Sequence, residues 1–164
     1  IVRNLILNNN SAMPRKSNPS DAALLLDHQL CFALYSASLA MTKLYKPLLA
    51  PLGLTYPQYL ALLCLWESDG MTVSHLGERL QLDSGTLTPL LKRMEAAGWL
   101  RRERSAEDER RVLVWLTPAG QALKQQARAI PQCVLQAAEC RLADIQALTQ
   151  QVRTLRDRVL AHTS

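Results

Sequence analysis

The chain has 164 residues, 48% apolar and 20% charged, with a net charge of +5. That length suits one domain with one sizeable core and helix to spare for pairing. The composition excludes wholesale disorder, and no apolar run reaches the ~18 residues needed to span a bilayer, so no membrane is expected.

Residues 1–20 read as a disordered tail. Its first twelve, IVRNLILNNNSA, lack the apolar core and cleavage site of a signal peptide. They are taken as a non-native leader, with natural synthesis starting at Met13 and the cytoplasm as the expected location. Residues 21–50 are helical by period: Leu24, Leu25, His28, Cys31, Phe32, Tyr35, Leu39 and Thr42 recur at spacings of three and four, and Pro47 and Pro51 close the run. Thr55, Pro57 and Gln58 form a helix start. The helix 56–68 that follows is apolar on most faces, which makes Cys64 a core cysteine.

Thr72 caps a short helix to about Leu80, and residues 82–85 form a tight connection. A second helix carries Leu87, Leu90, Leu91, Met94 and Ala97 to a stop at Gly98. This is the helix-turn-helix pattern. Two starts compete for the second helix: Thr88 as cap with Pro89 first, or an earlier start from Asp83. Residues 99–104 and 111–116 are strand-like, with a polar turn at 105–110, and a hairpin after a helix-turn-helix is a wing. Thr117 and Pro118 then restart helix. The chain stays helical to its end with a break near 138–143. Leu142, Ile145, Leu148, Val152, Leu155 and Val159 mark an apolar stripe on the last helix. It needs cover, either from the first helix or, the preferred reading, from a second copy.

The expected fold is therefore mainly α: a winged helix–turn–helix domain (55–117) with a two-stranded wing. A first helix (21–54) for sensing and pairing and C-terminal pairing helices (118–164) flank it. Seven of the 19 basic residues (Lys92, Arg93, Arg101, Arg102, Arg104, Arg110, Arg111) fall between positions 92 and 111, the footprint of a nucleic-acid binder. Asp83, Ser84, Thr86, Thr88, Lys92 and Arg93 occupy the start and exposed side of the second helix, placed for bases and phosphates of double-stranded DNA. The wing tip suits Arg110 to an A·T-rich minor groove, with Asp108 orienting it by a charge-assisted pair.

These segments, DSGTLTPLLKRMEAAGWLRR and DERRVLVWLTPAG, resemble the MarR family of regulators. Its Asp-x-Arg wing and Leu-Thr helix start match at Asp108, Arg110, Leu116 and Thr117. Residues 30–67 are similar to the OhrR branch, sensors of organic hydroperoxides, and the likeness spans about 21–160.

The four cysteines (Cys31, Cys64, Cys133, Cys140) contain no CxxC pair. That argues against a disulfide framework and against a zinc site; no metal or cofactor is expected. Spacing puts Cys31 and Tyr35 on one helix face. From the residues alone Cys31 is a buried core cysteine. The resemblance makes it the reactive thiol, with Tyr35 and Tyr45 as hydrogen-bond donors to the sulfur and Tyr56 lining the pocket. It further implies sulfenic acid formation and capture by a second thiol on the fifth helix of a partner subunit, at Cys133 or at Cys140 on the same face. The function implied is a homodimeric repressor that leaves a palindromic operator when oxidised, and not an enzyme. A regulator of phenolic-ligand type and a thiol peroxidase are the alternatives.

Overall fold

The computed structural model describes residues 21–162. The leader and the rest of the N-terminal tail, residues 1–20, lie outside them. The chain divides into two compact units after Ala40.

In the first unit, the single long helix expected from residue 21 is replaced by two 3-10 turns, Ala22–Leu24 and Leu26–His28. Leu25 between them and Gln29 after the second are extended (ψ 133° and 113°). The His28 ring sits 2.8 Å from the Ala22 carbonyl, and the Gln29 amide donates to the Ala23 carbonyl at 2.6 Å. Apolar spacing of three fits a 3-10 turn as well as an α-helix, so the pattern could not separate them. The first α-helix, α1, spans Leu30–Leu49. Pro47 lies inside its last turn, and a 3-10 turn, Ala50–Leu52, with Pro51 in it, carries the chain on to Gly53.

The second unit holds the core. Gln58 accepts the Thr55 amide at 2.8 Å, which starts α2 (Tyr56–Glu67) as a capping box. Ala61, Leu62 and Leu65 of α2 are buried. Around them pack Leu76 from α3 (Val73–Leu80) and Leu87, Leu91 and Met94 from α4 (Ser84–Ala96). Thr72 accepts from His75 N and caps α3, as its position implied.

The hairpin is β2 (Leu100–Arg104) and β3 (Val112–Leu116), with Leu100 opposite Leu116 and Arg104 opposite Val112. A third strand, β1 (Met71–Thr72), completes an antiparallel sheet in the order β1-β3-β2. Two residues carry no alternation, so sequence could not announce that strand. Asp69 fixes it: one carboxylate oxygen accepts from Leu116 N at 2.9 Å and Gly70 N at 3.0 Å. Gly70 is required twice over, by its φ of 70° and because a Cβ there would overlap the Trp115 ring.

Beyond the wing come α5 (Pro118–Ala127), α6 (Ile130–Ala137) and α7 (Leu142–Ala161). Thr117 caps α5 through Gly120 N at 3.1 Å. The break at 128–129 was not expected; Pro131 cannot donate to the carbonyl one turn back, so the helix restarts there. The expected break at 138–143 is present, with Glu139 in the left-handed region at φ 50°.

Candidate DNA-reading surface and thiol region

The competition over the start of α4 resolves at Asp83. Its carboxylate accepts Thr86 N at 2.9 Å and the Thr86 hydroxyl at 3.0 Å. These bonds hold its pKa below the ordinary carboxylate value, with the backbone bond the largest cause. A cap bonded to the third helical residue forms an N-terminus without needing proline. Pro89 therefore sits inside the helix, where it removes one bond, to the Gly85 carbonyl. Ser84, Gly85 and Leu82 are not all loop: Ser84 and Gly85 belong to the first turn. Ser84, Thr86, Thr88, Lys92 and Arg93 are exposed, while Leu87, Leu90, Leu91 and Met94 turn inward. One face anchors the helix and the other presents hydroxyls and cations.

The wing tip is tied by Ser105 and Asp108. The Ser105 hydroxyl accepts Glu107 N at 3.2 Å, and Ser105 N donates to the Arg111 carbonyl at 2.9 Å. Asp108 does not pair with the Arg110 guanidinium as expected. Its carboxylate accepts the Arg110 backbone N–H at 3.1 Å and pairs with Arg111 Nε at 3.3 Å. In so tight a turn the backbone N–H two residues on is the nearer donor. Arg110 is thus oriented through its main chain, and its guanidinium has no partner among the described residues.

The basic stripe sorts into two groups. Arg101 pairs with Glu103, Arg102 with Glu95 and Arg111 with Asp108. Lys92, Arg93, Arg104 and Arg110 are exposed and have no side-chain partner among the described residues. Those four are the cations of the stripe that no carboxylate among the described residues neutralises.

The thiol residues are distributed over both units. Cys31 and Tyr35 lie one turn apart in the N-terminal unit. Both are exposed, Tyr35 at 61%, which corrects the expectation of a buried Cys31. Leu24, Leu26, Leu30 and Leu39 are exposed alongside them, so this segment has no core of its own in a single chain. Tyr45 and Tyr56 lie in the larger unit with ring centroids 4.5 Å apart, and Tyr59, which the sequence had not singled out, is 5.9 Å from Tyr45. Only the tertiary fold gathers the three rings. Burial, then the charges of Tyr56 and Tyr59, push the Tyr45 phenol up to about 12. Burial also raises Tyr56. Both are therefore neutral O–H donors at neutral pH. A cavity of about 440 Å³ has Tyr56, Leu54 and Pro57 in its wall together with Lys43 and Lys46.

Cys64 is buried in the core as expected, and burial raises its thiol pKa. Cys133 is half-buried on α6. Cys140 does not share its face: α6 ends at Ala137, and Cys140 lies in the link to α7, its Sγ donating to the Ala138 carbonyl at 3.1 Å. The stripe on α7 is largely exposed, with Leu148 at 60% and Val159 at 54%, Ile145 and Leu155 half-buried, and no fully buried residue on the helix. No single described helix is long and apolar enough to cross a membrane.

The model of the MarR family matches residues 54–112. Over 130 residues the chain is 54% identical to the organic hydroperoxide resistance transcriptional regulator of Bacillus subtilis (strain 168), covering 79% of this chain and 88% of that protein. The chain belongs to the MarR family. Among solved MarR-type folds, AbfR of Staphylococcus epidermidis is similar with a TM-score of 0.72 at 33% identity, covering 87% of this chain and 98% of that one. Reduced AbfR bound to DNA gives 0.69 at 33% identity, covering 86% and 99%. The MarR match takes in the helix-turn-helix and most of the wing. Cys31 and α7 fall outside it, so the reading surface and the thiol rest on different support.

Proposed function

We propose that this chain is a DNA-binding transcriptional repressor that works as a homodimer in the cytoplasm and is released from an A·T-rich palindromic operator when an organic hydroperoxide oxidises Cys31. The observation that carries the DNA half is the presenting face of α4, capped by Asp83, with four unpartnered cations spread over helix and wing. Ser84, Thr86 and Thr88 meet the major groove, Lys92 and Arg93 the phosphates, and Arg110, steadied by Asp108, the minor groove. The sensing half is supported by the exposed thiol of Cys31 and by similarity to a hydroperoxide resistance regulator.

The chemistry balances without a cofactor. The Cys31 thiolate attacks the hydroxyl oxygen of the peroxide, the O–O bond breaks, and the alkoxide leaves and takes up the proton that the thiol released, giving sulfenic acid and an alcohol. By the family resemblance Tyr35 and Tyr45 serve as phenolic donors to the thiolate, and Tyr56 lines its pocket. A second thiol, Cys133 of the partner subunit, then displaces water to form an intersubunit disulfide. Cys140 is the alternative. Such a bridge changes the separation of the two reading helices, which half-site spacing fixes. The chain has no CxxC pair for recycling, which favours a sensor over a peroxidase.

A gel shift on the upstream DNA of the chain's own gene tests this, with and without cumene hydroperoxide, for wild type and Cys31→Ser. The wild type should bind, weaken with salt and release on oxidation, whereas Cys31→Ser should bind and stay bound. Release of Cys31→Ser by the peroxide would contradict the sensing role.

A further inference from the structure

The carboxylate of Glu95, at the end of α4, takes three hydrogen bonds from one residue of the wing. Arg102 N donates to Oε1 at 3.0 Å, Arg102 Nε to Oε2 at 3.0 Å, and a terminal guanidinium nitrogen to Oε2 at 2.6 Å. The side chains are 36% and 24% exposed. Strand topology explains why the main chain takes part. β2 is an edge strand, and its partner β3 receives the pairs on either side: Thr117 N donates to Trp99 O and Ser105 N to Arg111 O. By the two-residue alternation of a ladder, the N–H of Arg102 faces outward from the open edge. Glu95 closes it. One carboxylate thereby holds both the backbone and the side chain of a single wing residue.

Among the described residues no other ion pair joins α4 to the wing. Arg101–Glu103 and Arg111–Asp108 tie the hairpin to itself. The only covalent link is the short run Ala97–Gly98–Trp99, which turns at a left-handed Gly98 (φ 75°). Arg102 stands three residues before the turn begins, about 10 Å at strand rise. A tilt of about 10° at that point would move the tip by about 2 Å, enough to break a hydrogen bond there.

We propose that Glu95 and Arg102 form a strut that sets the wing against the reading helix, and that Arg102 is a positioning residue acting through Glu95. Arg102 is then not one of the phosphate contacts, although it lies in the middle of the basic stripe. The inference rests on the DNA-binding reading above.

The test compares Glu95→Ala, Arg102→Ala, the double variant and Arg110→Ala as full-length protein on the same upstream DNA. Affinity is measured across a salt series, and hydroxyl-radical footprints are recorded. Each strut variant should bind about tenfold more weakly, as expected for losing a charged hydrogen-bond set. The double variant should lose no more than the worse single variant, because both break one unit. The slope of log affinity against log salt should stay at the wild-type value. The footprint should lose the segments that Arg110→Ala loses and keep those under α4, which a general loss of stability would not produce. Additive losses, with the salt slope falling by about one for Arg102→Ala alone, would mark Arg102 as a phosphate contact and overturn the strut. If the alanine variants do not fold, Glu95→Gln and Arg102→Lys give the same readings, and unchanged affinity in both overturns the strut. Failure of the wild type to bind this DNA in a salt-dependent way contradicts the reading of function; wild-type binding with uncoupled variants contradicts the strut alone.

Discussion

The helix-turn-helix with its wing and the segments that flank it bury their apolar residues to very different degrees. Between Leu49, at the end of α1, and Val134 the chain closes its own core, with Leu62, Leu76, Leu91, Met94 and Val114 fully buried. The flanks do not. Leu24, Leu30, Leu39, Leu148 and Val159 are exposed, and α7 has no fully buried residue. The reading module is therefore complete in one chain, and the flanks are the half of the molecule that a second copy would complete. In the proposed function, reading DNA is a property of the protomer, and spacing two readers, with sensing, a property of the pair.

The contrast can be broken most forcefully at its two extremes. Leu91→Ala should destabilise the module by about 2–5 kcal/mol through a cavity beside Leu62 and Met94, seen as a drop in thermal midpoint. A loss below about 1 kcal/mol would show that the core is less closed than its burial implies. Leu148→Glu with Val152→Glu should leave the folded module intact but shift the dimer to monomer in analytical ultracentrifugation and abolish operator binding at concentrations where wild type binds. An unchanged dimer would place the pairing surface elsewhere.

Smaller effects sharpen the picture within the reading module. Arg110→Ala should weaken binding about tenfold with an unchanged melting curve; unaltered affinity would remove the wing from the interface. The Asp83 cap gives the smallest and most diagnostic effect. Its carboxylate pKa is lowered in the folded chain, so its contribution is complete above the ordinary carboxylate range. It is lost as pH falls through the lowered value. Asp83→Asn should flatten the acid limb of the stability curve relative to wild type, by thermal melts between pH 3 and 7; an identical acid limb would show that the cap does not contribute this way.

Much of the reading module was legible because each feature has a local cause. Thr55, Thr72 and Thr117 sit at helix starts, and Val112, Val114 and Leu116 alternate. The errors arise where a tertiary contact decides between locally equal options. Asp83 and Thr88 are both good caps, and the earlier start is the one whose cap bonds form, with Leu87 of the added turn buried in the core. Asp108 has two arginines within reach, and the turn delivers the backbone of one and the side chain of the other. Met71 and Thr72 become a strand because Asp69 holds them to β3. In the flanks, a spacing of three fits 3-10 turns as well as helix. The proposed thiol site was less legible still: sequence places Tyr35 beside Cys31, but Tyr45, Tyr56 and Tyr59 meet only through the fold.

The central claim, that oxidation of Cys31 and loss of the operator are one event, is tested most directly by titrating the DNA-bound protein with cumene hydroperoxide from substoichiometric amounts into excess. Operator release is read by fluorescence anisotropy, and the mass of the Cys31 peptide is read in the same samples. The account predicts that the released fraction follows the oxidised Cys31 fraction and that peroxide consumption stops near one equivalent per subunit. Release while Cys31 stays reduced, or continued turnover of peroxide, would contradict it.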